Sequence, residues 1–430
     1  MNYKHICFLS PPFYSHFMPL LTLAKSFHKY GAKVTFGCSI DFKDEIEKAG
    51  LHFHEIELSK NKNTKNATDT IQPDSEKIRL HEFFEATKKG PIETLITQSK
   101  HRKDDMLYNP MNIANHIKTL SESRDIDLWI YDVLSYNVAL ALYSLNLSFI
   151  TFCPPHPRTI PKGEDFYGVP KNWPSIFDIN VKDIEKLKEV SLGTTSQFTN
   201  IFNQFLEENK FEVAKINNAF RLTSKIAVIY NYFDFYNSNN PSDIYIGHCF
   251  EEESLDENWE KILRNKNQLK ILITLGTFLS SRTDVLEKLI LALEKNYPDA
   301  LFVVSGGSSF DILKRLGSEN IIMEEFIPQK ALIPHMDLVI HHGGCNTFTE
   351  SLYYEKPMVI LPFSSDQFNI AYDAEKNNIA SILDPNNLRE DLIIKAVKNS
   401  LKNKSQDTQK WGNYSKAKGP DFAAKKILGM

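Results

Sequence analysis

The stretch DLVIHHGGCNTFTESLYYEKPMVILPFSSDQ, Asp337 to Gln367, decides how the rest of the chain reads. Two short apolar runs, LVI and MVILPF, have the length of buried strands, and between them lie two histidines, two glycines and a helical pattern over TFTESLYYE. Strand, tight turn, helix and strand make a βαβ unit with parallel strands and a right-handed crossover. Gly343 and Gly344 suit the turn and let a ligand approach the backbone, while the N–H groups around Cys345, Asn346 and Thr347 open the helix as a receptacle for a phosphate. His342 adds a donor, and Asn346 and Thr347 can donate to phosphate oxygens, although a plain helix-capping role fits either of them equally well in isolation. Glu350 lies one turn beyond Asn346 on the same face, where a carboxylate can accept hydrogen bonds from a ribose diol.

The same rhythm extends in both directions. HICFLS, MPLLTLAKSFHKYG, KVTFGCS and DFKDEIEKAG alternate strand and helix near the start, and LKILITLGT, TDVLEKLILALEKNY, ALFVVSGG and IIMEEFIP do so before the quoted stretch. Two doubly wound α/β halves follow, joined by the charged, weakly periodic segment Ile246 to Gln268. The boundaries are set at residues 1–247, 248–410 and a terminal segment 411–430. The sections Ser59 to Ser123 and Pro154 to Ser242 are polar, studded with aromatics and irregular in pattern, with a mobile loop expected over Ser59 to Thr70. Ligands of open α/β sheets bind beyond the carboxyl ends of strands. Six such ends carry polar groups: His16 after HICFLS, Asp132 after DLWIY, Thr277 after ILITLG, the FIPQ segment, the His342 turn and SSDQ.

Composition narrows the function classes. With 42% hydrophobic and 24% charged residues the 430-residue chain is ordinary globular protein, and a net charge of -4 without a basic block disfavours nucleic acid as a partner. The five cysteines, Cys7, Cys38, Cys153, Cys249 and Cys345, form no CxxC pair, which fits a reducing compartment. The opening MNYKHICFLS is too short and interrupted for a signal peptide, and Leu128 to Phe152 reads as strand, helix and strand because Asp132, Asn137 and Asn146 interrupt it. A cytoplasmic protein without membrane insertion is expected. His341 and His342 point to opposite faces of a strand and so are poor metal co-ligands. The acidic DID of Asp125 to Asp127 precedes its strand and reads as solvated, at the wrong end of the sheet for a metal site. No GxGxxG follows either first strand, LSPPFYSH or LGTFLSSR, which weighs against a dehydrogenase.

The ordered motif HHGGCNTFTESLYYEKPMVILPFSSDQFNIA closely resembles the donor-binding signature of family 1 glycosyltransferases, HxGxNxxxE followed by a strand, DQ and NxA. SHFMPLLTLAKSFHKYGAKVTF, DVLSYNVALALYSLNLSFITF, GSENIIMEEFIPQKALIPHMDLVIHHGG and the closing KGPDFAAKKIL are similar to further elements of that family. The resemblance covers both halves and omits most of the two irregular sections. It implies a GT-B fold of two Rossmann-like domains facing across a cleft, the N-terminal one for the acceptor and the C-terminal one for the donor, with a last helix crossing back. It also implies inverting transfer with no metal and no cofactor beyond the nucleotide sugar as co-substrate. By position, His16 is the general base and Asp132 its carboxylate partner; Thr277, His342, Gly344, Asn346 and Thr347 surround the diphosphate. Phe326 stacks on the base, Gln329 and Glu350 contact the nucleoside, and Asp366 and Gln367 bind the sugar hydroxyls. Phe326 stands where tryptophan is frequent and leaves uracil against thymine open, while Gln367 after Asp366 leans toward glucose, hence UDP-glucose as donor.

The chemistry is coherent on its own terms. An imidazole can take the proton of a hydroxyl acceptor near neutral pH, a carboxylate can fix its tautomer, and a helix N-terminus can stabilise charge on the departing diphosphate. The expected activity is hexosyl transfer to a lipophilic natural product, phenol or polyketide, with 29 phenylalanines and 17 tyrosines available to core and acceptor pocket alike. A nucleotide-sugar epimerase and a catalytically silent partner of the same fold are the competing readings. Oligomeric state is left open.

Overall fold

The computed structural model describes residues 3–64, 74–102, 107–264, 268–402 and 406–430, with residues 74–76, 277 and 278 in backbone only. Among the described residues thirteen strands form two sheets. The first contains β1 (His5–Leu9), β2 (Lys33–Cys38), β3 (His52–Glu55), β4 (Leu128–Asp132), β5 (Phe149–Cys153), β6 (Val228–Tyr230) and β7 (Asp243–Tyr245), in the order β3-β2-β1-β4-β5-β6-β7. The second contains β8 (Lys270–Thr274), β9 (Leu301–Ser305), β10 (Ile321–Glu324), β11 (Leu338–His341), β12 (Met358–Ile360) and β13 (Ala380–Ile382), in the order β10-β9-β8-β11-β12-β13. All pairings are parallel. Helices cover both faces of each sheet, so central strands such as HICFL and KILIT are buried along their whole length and lack the alternation of a half-exposed strand. This is the doubly wound architecture expected from the strand-helix rhythm, in the two-sheet form of the GT-B fold that the resemblance implies.

Strand order reverses between β1 and β4 in the first sheet and between β8 and β11 in the second. A crevice opens at such a switch point because the flanking crossovers leave on opposite faces. Consequently the carboxyl end of β4, with Asp132, and the segments after β1, β8 and β11, which carry His16, Gly276 and His342, line two crevices.

The halves are fastened by shared packing. One apolar cluster mixes Tyr230, Tyr232 and Phe233 from the first half with Leu272, Phe348, Met358 and Trp411 from the second. Phe235 meets Trp411 at 4.5 Å between ring centroids, and Tyr232 stacks on Phe348 at 5.7 Å. Each buried aromatic of this kind contributes on the order of 2 kcal/mol, so the cluster is a substantial hinge core. The last helix, Gly419–Leu428, lies on the helix Tyr14–Lys29: Ala423 and Ala424 enter the first-half core, and Asp421 takes hydrogen bonds from Lys29 at 2.6 Å and Tyr30 at 3.0 Å.

Two sections that look irregular in sequence are largely helical. Asp74–Lys89, Pro91–Arg102 and Pro110–Arg124 fill the first, and a 28-residue helix, Val181–Glu208, fills much of the second. The buried seam of that long helix runs Leu187, Ser191, Thr194, Phe198, Phe202 and Phe205. Its N-terminal half packs through small hydroxyl residues, which hides the apolar period. The loop expected over Ser59 to Thr70 falls from residue 65 onward outside the described residues. The DID motif does sit at the amino end of β4, but Asp127 is more than a solvated charge: its Oδ2 accepts the N–H groups of Lys4 and His5, each at 2.8 Å, and so caps the start of β1.

Candidate active site

His16 occupies the first turn of the helix Tyr14–Lys29, and Asp132 ends the adjacent strand β4. Its Nδ1 lies 2.8 Å from Asp132 Oδ2, with the carboxylate fully buried and the imidazole 17% exposed. The second carboxylate oxygen accepts the Leu134 N–H at 2.8 Å, which fixes the plane of the group. A carboxylate only accepts, so Nδ1 carries the proton and Nε2 presents the lone pair. The Phe13 ring meets the imidazole edge-on at 6.3 Å. The first half thus holds an oriented, partly exposed imidazole at the rim of its crevice.

In the second half the chain leaves β11 through Gly343, whose φ of 85° lies in the left-handed region that favours glycine, and enters the helix Cys345–Tyr353. Gly344 is the N-cap and supplies no side-chain bond, so among the described residues the first N–H groups of the helix carry no cap from their N-cap residue. The His342 ring lies between two glycines: a Cβ on Gly276 would fall 2.8 Å from its Cε1, and one on Gly344 2.5 Å from its Nε2. Burial pulls the His342 imidazole down to about 4, so it is neutral, and its Nδ1 is buried without a partner. His341 points the other way, with its Nδ1 accepting the Gly343 N–H at 3.1 Å. Among the described residues no group of three or more His, Cys, Asp and Glu could hold a metal ion.

Glu350 sits one turn further along this helix, 7% exposed. Gln329 Nε2 donates to Glu350 Oε2 at 2.7 Å and to Thr347 Oγ1 at 3.1 Å, joining three of the expected donor-site residues in one network. Burial pushes the Glu350 carboxyl up to about 7, against the smaller opposing effects of the Gln329 bond and the Lys330 charge. Phe326, three residues before Gln329 in the sequence, is 40% exposed, a large apolar ring offered to solvent. Tyr14, Ser15, Asn231, Lys330, Asn346 and Glu350 are among the residues lining a cleft between the halves.

Asn346 joins the two sites. Its Nδ2 donates to the Ser15 carbonyl at 2.9 Å, and its Oδ1 accepts from Asn231 Nδ2 at 3.3 Å. The Ser15 carbonyl is available for a simple reason: its helical partner would be the N–H of residue 19, which is proline. A missing donor in the helix that carries His16 is therefore replaced by a side chain from the opposite domain. Asn346 contacts the residue next to the base, a position its expected diphosphate role did not anticipate.

Asp366 and Gln367 begin the helix Gln367–Lys376 beyond β12. Gln367 Oε1 accepts the N–H groups of Phe363 at 2.9 Å and Ser364 at 3.2 Å, so its carbonyl shapes the loop and only its amide nitrogen faces other work. Asp366 Oδ2 accepts the His156 N–H at 2.9 Å, a contact from the first half. The side chain of Thr277 lies outside the described residues. Sequence reading missed Asn231 and His156, which approach the donor side from loops after β6 and β5. Their signal was present but faint, since both follow strand ends, where the polar residues of the other sites also fall.

A family model for the glycosyltransferase family 28 C-terminal domain matches residues 270–425, the second sheet and the helices after it. The chain is 22% identical over 436 residues to the NDP-glycosyltransferase YjiC of Bacillus licheniformis, covering 99% of this chain and 98% of that one. It is 22% identical over 376 residues to the zeaxanthin glucosyltransferase of Pantoea ananas, covering 86% and 82%. A shorter alignment, 31% identical over 103 residues, relates it to the uncharacterized UDP-glucosyltransferase YojK of Bacillus subtilis but spans only 25% of that protein. The crystal structure of the kitacinnamycin glycotransferase superposes with a TM-score of 0.69 at 17% identity over 99% of both chains. The chain shares the GT-B fold of these structures, and motif order together with these relationships supports a family 1-type glycosyltransferase.

Proposed function

We propose that the protein transfers glucose from a nucleoside diphosphate sugar, with inversion, to a hydroxyl of a lipophilic natural product. The observation that carries this reading is the tie between Asn346 and the Ser15 carbonyl, because it brings the N-terminus of the helix Cys345–Tyr353 to the residue beside the His16–Asp132 pair. A base and an anion-stabilising dipole then face one reacting centre. His16 Nε2 takes the acceptor proton, the acceptor oxygen attacks the anomeric carbon from the face opposite the leaving group, and the carbon–oxygen bond to the diphosphate breaks with its electron pair. Asp132 stabilises the imidazolium, and the N–H groups from Cys345 to Thr347 with neutral His342 stabilise the departing diphosphate. Protein donors supply that stabilisation without calling on a metal ion.

Phe326 offers the face for the base and Glu350 the acceptor for the ribose diol; Asp366 and the Gln367 amide read the sugar. The name of one relative, zeaxanthin glucosyltransferase, supports a natural-product acceptor and a glucosyl donor; UDP-glucose is proposed on the Asp366–Gln367 pattern. All five cysteines are free, four of them buried, in keeping with a reducing cytoplasm. No helix among the described residues is long and apolar enough to cross a membrane. The test is nucleoside diphosphate release from UDP-glucose and dTDP-glucose with and without a panel of carotenoid, phenol and polyketide alcohols. Acceptor-dependent release of a β-glucoside, abolished by His16→Ala, supports the reading. An altered nucleotide sugar formed without acceptor makes the protein an epimerase, and indifference to His16→Ala makes it a silent relative.

A further inference from the structure

A buried polar cluster lies outside the reaction just described. The His156 imidazole accepts the Arg158 N–H at Nδ1, at 3.0 Å, so its proton is on Nε2, which donates to Asp373 Oδ2 at 2.9 Å. The two side chains are 2% and 1% exposed. Tyr232 donates to the same carboxylate oxygen at 3.3 Å, and Tyr236 donates to Oδ1. His156, Tyr232 and Tyr236 belong to the first half, whereas Asp373 lies on the helix Gln367–Lys376 of the second. Three donors from one domain thus satisfy one buried carboxylate of the other, the condition under which a buried charge is tolerated.

The cluster has a geometric consequence at the sugar-reading loop. The backbone N–H of His156, held by this side-chain anchor, is the group that binds Asp366 Oδ2 at 2.9 Å. The neighbouring Ser365 N–H donates to Gln98 Oε1 at 3.0 Å, again across the cleft, and Phe368 packs at 5.1 Å on Trp173 of the first half. The nucleotide network of Gln329, Thr347 and Glu350 has no hydrogen bond to any of these groups.

We propose that His156 and Asp373 are positioning residues for the donor sugar: they hold Asp366 with one oxygen on the His156 N–H and the other turned to the sugar hydroxyls. This rests on the donor-site reading above. The sugar subsite is completed by the acceptor domain, whereas the network of Gln329, Thr347 and Glu350 lies within the donor domain.

The test is calorimetric binding of UDP, UDP-glucose, dTDP and dTDP-glucose to the wild type and to His156→Ala, His156→Gln, Asp373→Asn and Tyr236→Phe, with donor KM and kcat measured in parallel. In His156→Ala and Asp373→Asn the nucleotide-sugar Kd rises about tenfold relative to the nucleotide Kd, which itself stays within about twofold. His156→Gln keeps a donor toward Asp373 and recovers most of the loss. Equal weakening of nucleotide and nucleotide sugar, or no weakening of either, overturns the proposal. Where a buried-site variant fails to fold, Tyr236→Phe decides: its ring is 56% exposed, and a rise of about threefold in the same ratio is expected, a flat ratio being contrary. A folded wild type that binds neither nucleotide removes the donor-site reading and the proposal together.

Discussion

Replacing Glu350 by glutamine probes the donor site through its protons. The carboxyl is raised from 4.5 to about 7 because burial beside Gln329 and Thr347 removes its solvent, while Lys330 and the Gln329 amide recover only part of the charge stabilisation. Glu253, which pairs with Lys330 at 2.5 Å, adds a repulsive contribution. A shift of this size corresponds to roughly 3 kcal/mol between the two protonation states. The folded protein therefore holds more protons than the unfolded chain between pH 4.5 and about 7, and the stability associated with Glu350 is complete below 4.5 and is lost as the pH rises toward 7. A ribose diol donates to the carboxylate and stabilises its ionised form, so nucleotide binding expels a proton. With a carboxyl near 7, the ionised fraction grows about tenfold between pH 6 and pH 8, and the nucleotide Kd should tighten by about that factor. Calorimetry in buffers of different ionisation enthalpy should show close to one proton released at pH 6 and almost none at pH 8. Glu350→Gln should flatten both curves, and its stability advantage over the wild type should grow between pH 5 and pH 8. Nucleotide affinity that is flat or weaker at higher pH would refute the assignment of Glu350 to the ribose.

Three further outcomes follow from particular contacts. Asp132→Asn removes the carboxylate that sets the His16 tautomer at 2.8 Å, and kcat should fall by at least about 100-fold with the nucleotide Kd unchanged, read by steady-state kinetics and calorimetry. Gly344→Ala drives a Cβ to within 2.5 Å of the His342 Nε2, and nucleotide affinity should drop more than about tenfold while far-ultraviolet circular dichroism is unchanged. Pro19→Ala restores an N–H that competes with Asn346 for the Ser15 carbonyl; kcat/KM should fall several-fold, and hydrogen exchange should rise in the segments that face each other across the cleft.

The parts legible in the sequence were those whose signal is local. Strand ends followed by polar groups placed His16, Asp132 and the His342 turn correctly at the two switch points, because parallel topology forces the carboxyl ends of neighbouring strands together. The helical content of residues 74–124 and 181–208 was hidden, since seams such as Leu187, Ser191 and Thr194 bury hydroxyl residues and dilute the apolar period. Contacts made by backbone or across domains left almost no trace: the His156 N–H on Asp366, Asp373 buried under Tyr232 and Tyr236, and the Ser15 carbonyl freed by a proline four residues later. Residue identity records a side chain's chemistry, whereas these roles depend on which chain segment the fold brings opposite.

The helix opening at Cys345 is proposed to hold a nucleoside diphosphate without a metal ion. The most direct test of this proposal is calorimetric titration of the purified protein with UDP and dTDP in excess EDTA, with Asn346→Ala and Glu350→Ala in parallel. The account predicts micromolar binding of one or both nucleotides, weakened at least about tenfold in each variant. A folded protein that binds neither nucleotide under these conditions, or whose binding is untouched by both substitutions, would contradict it.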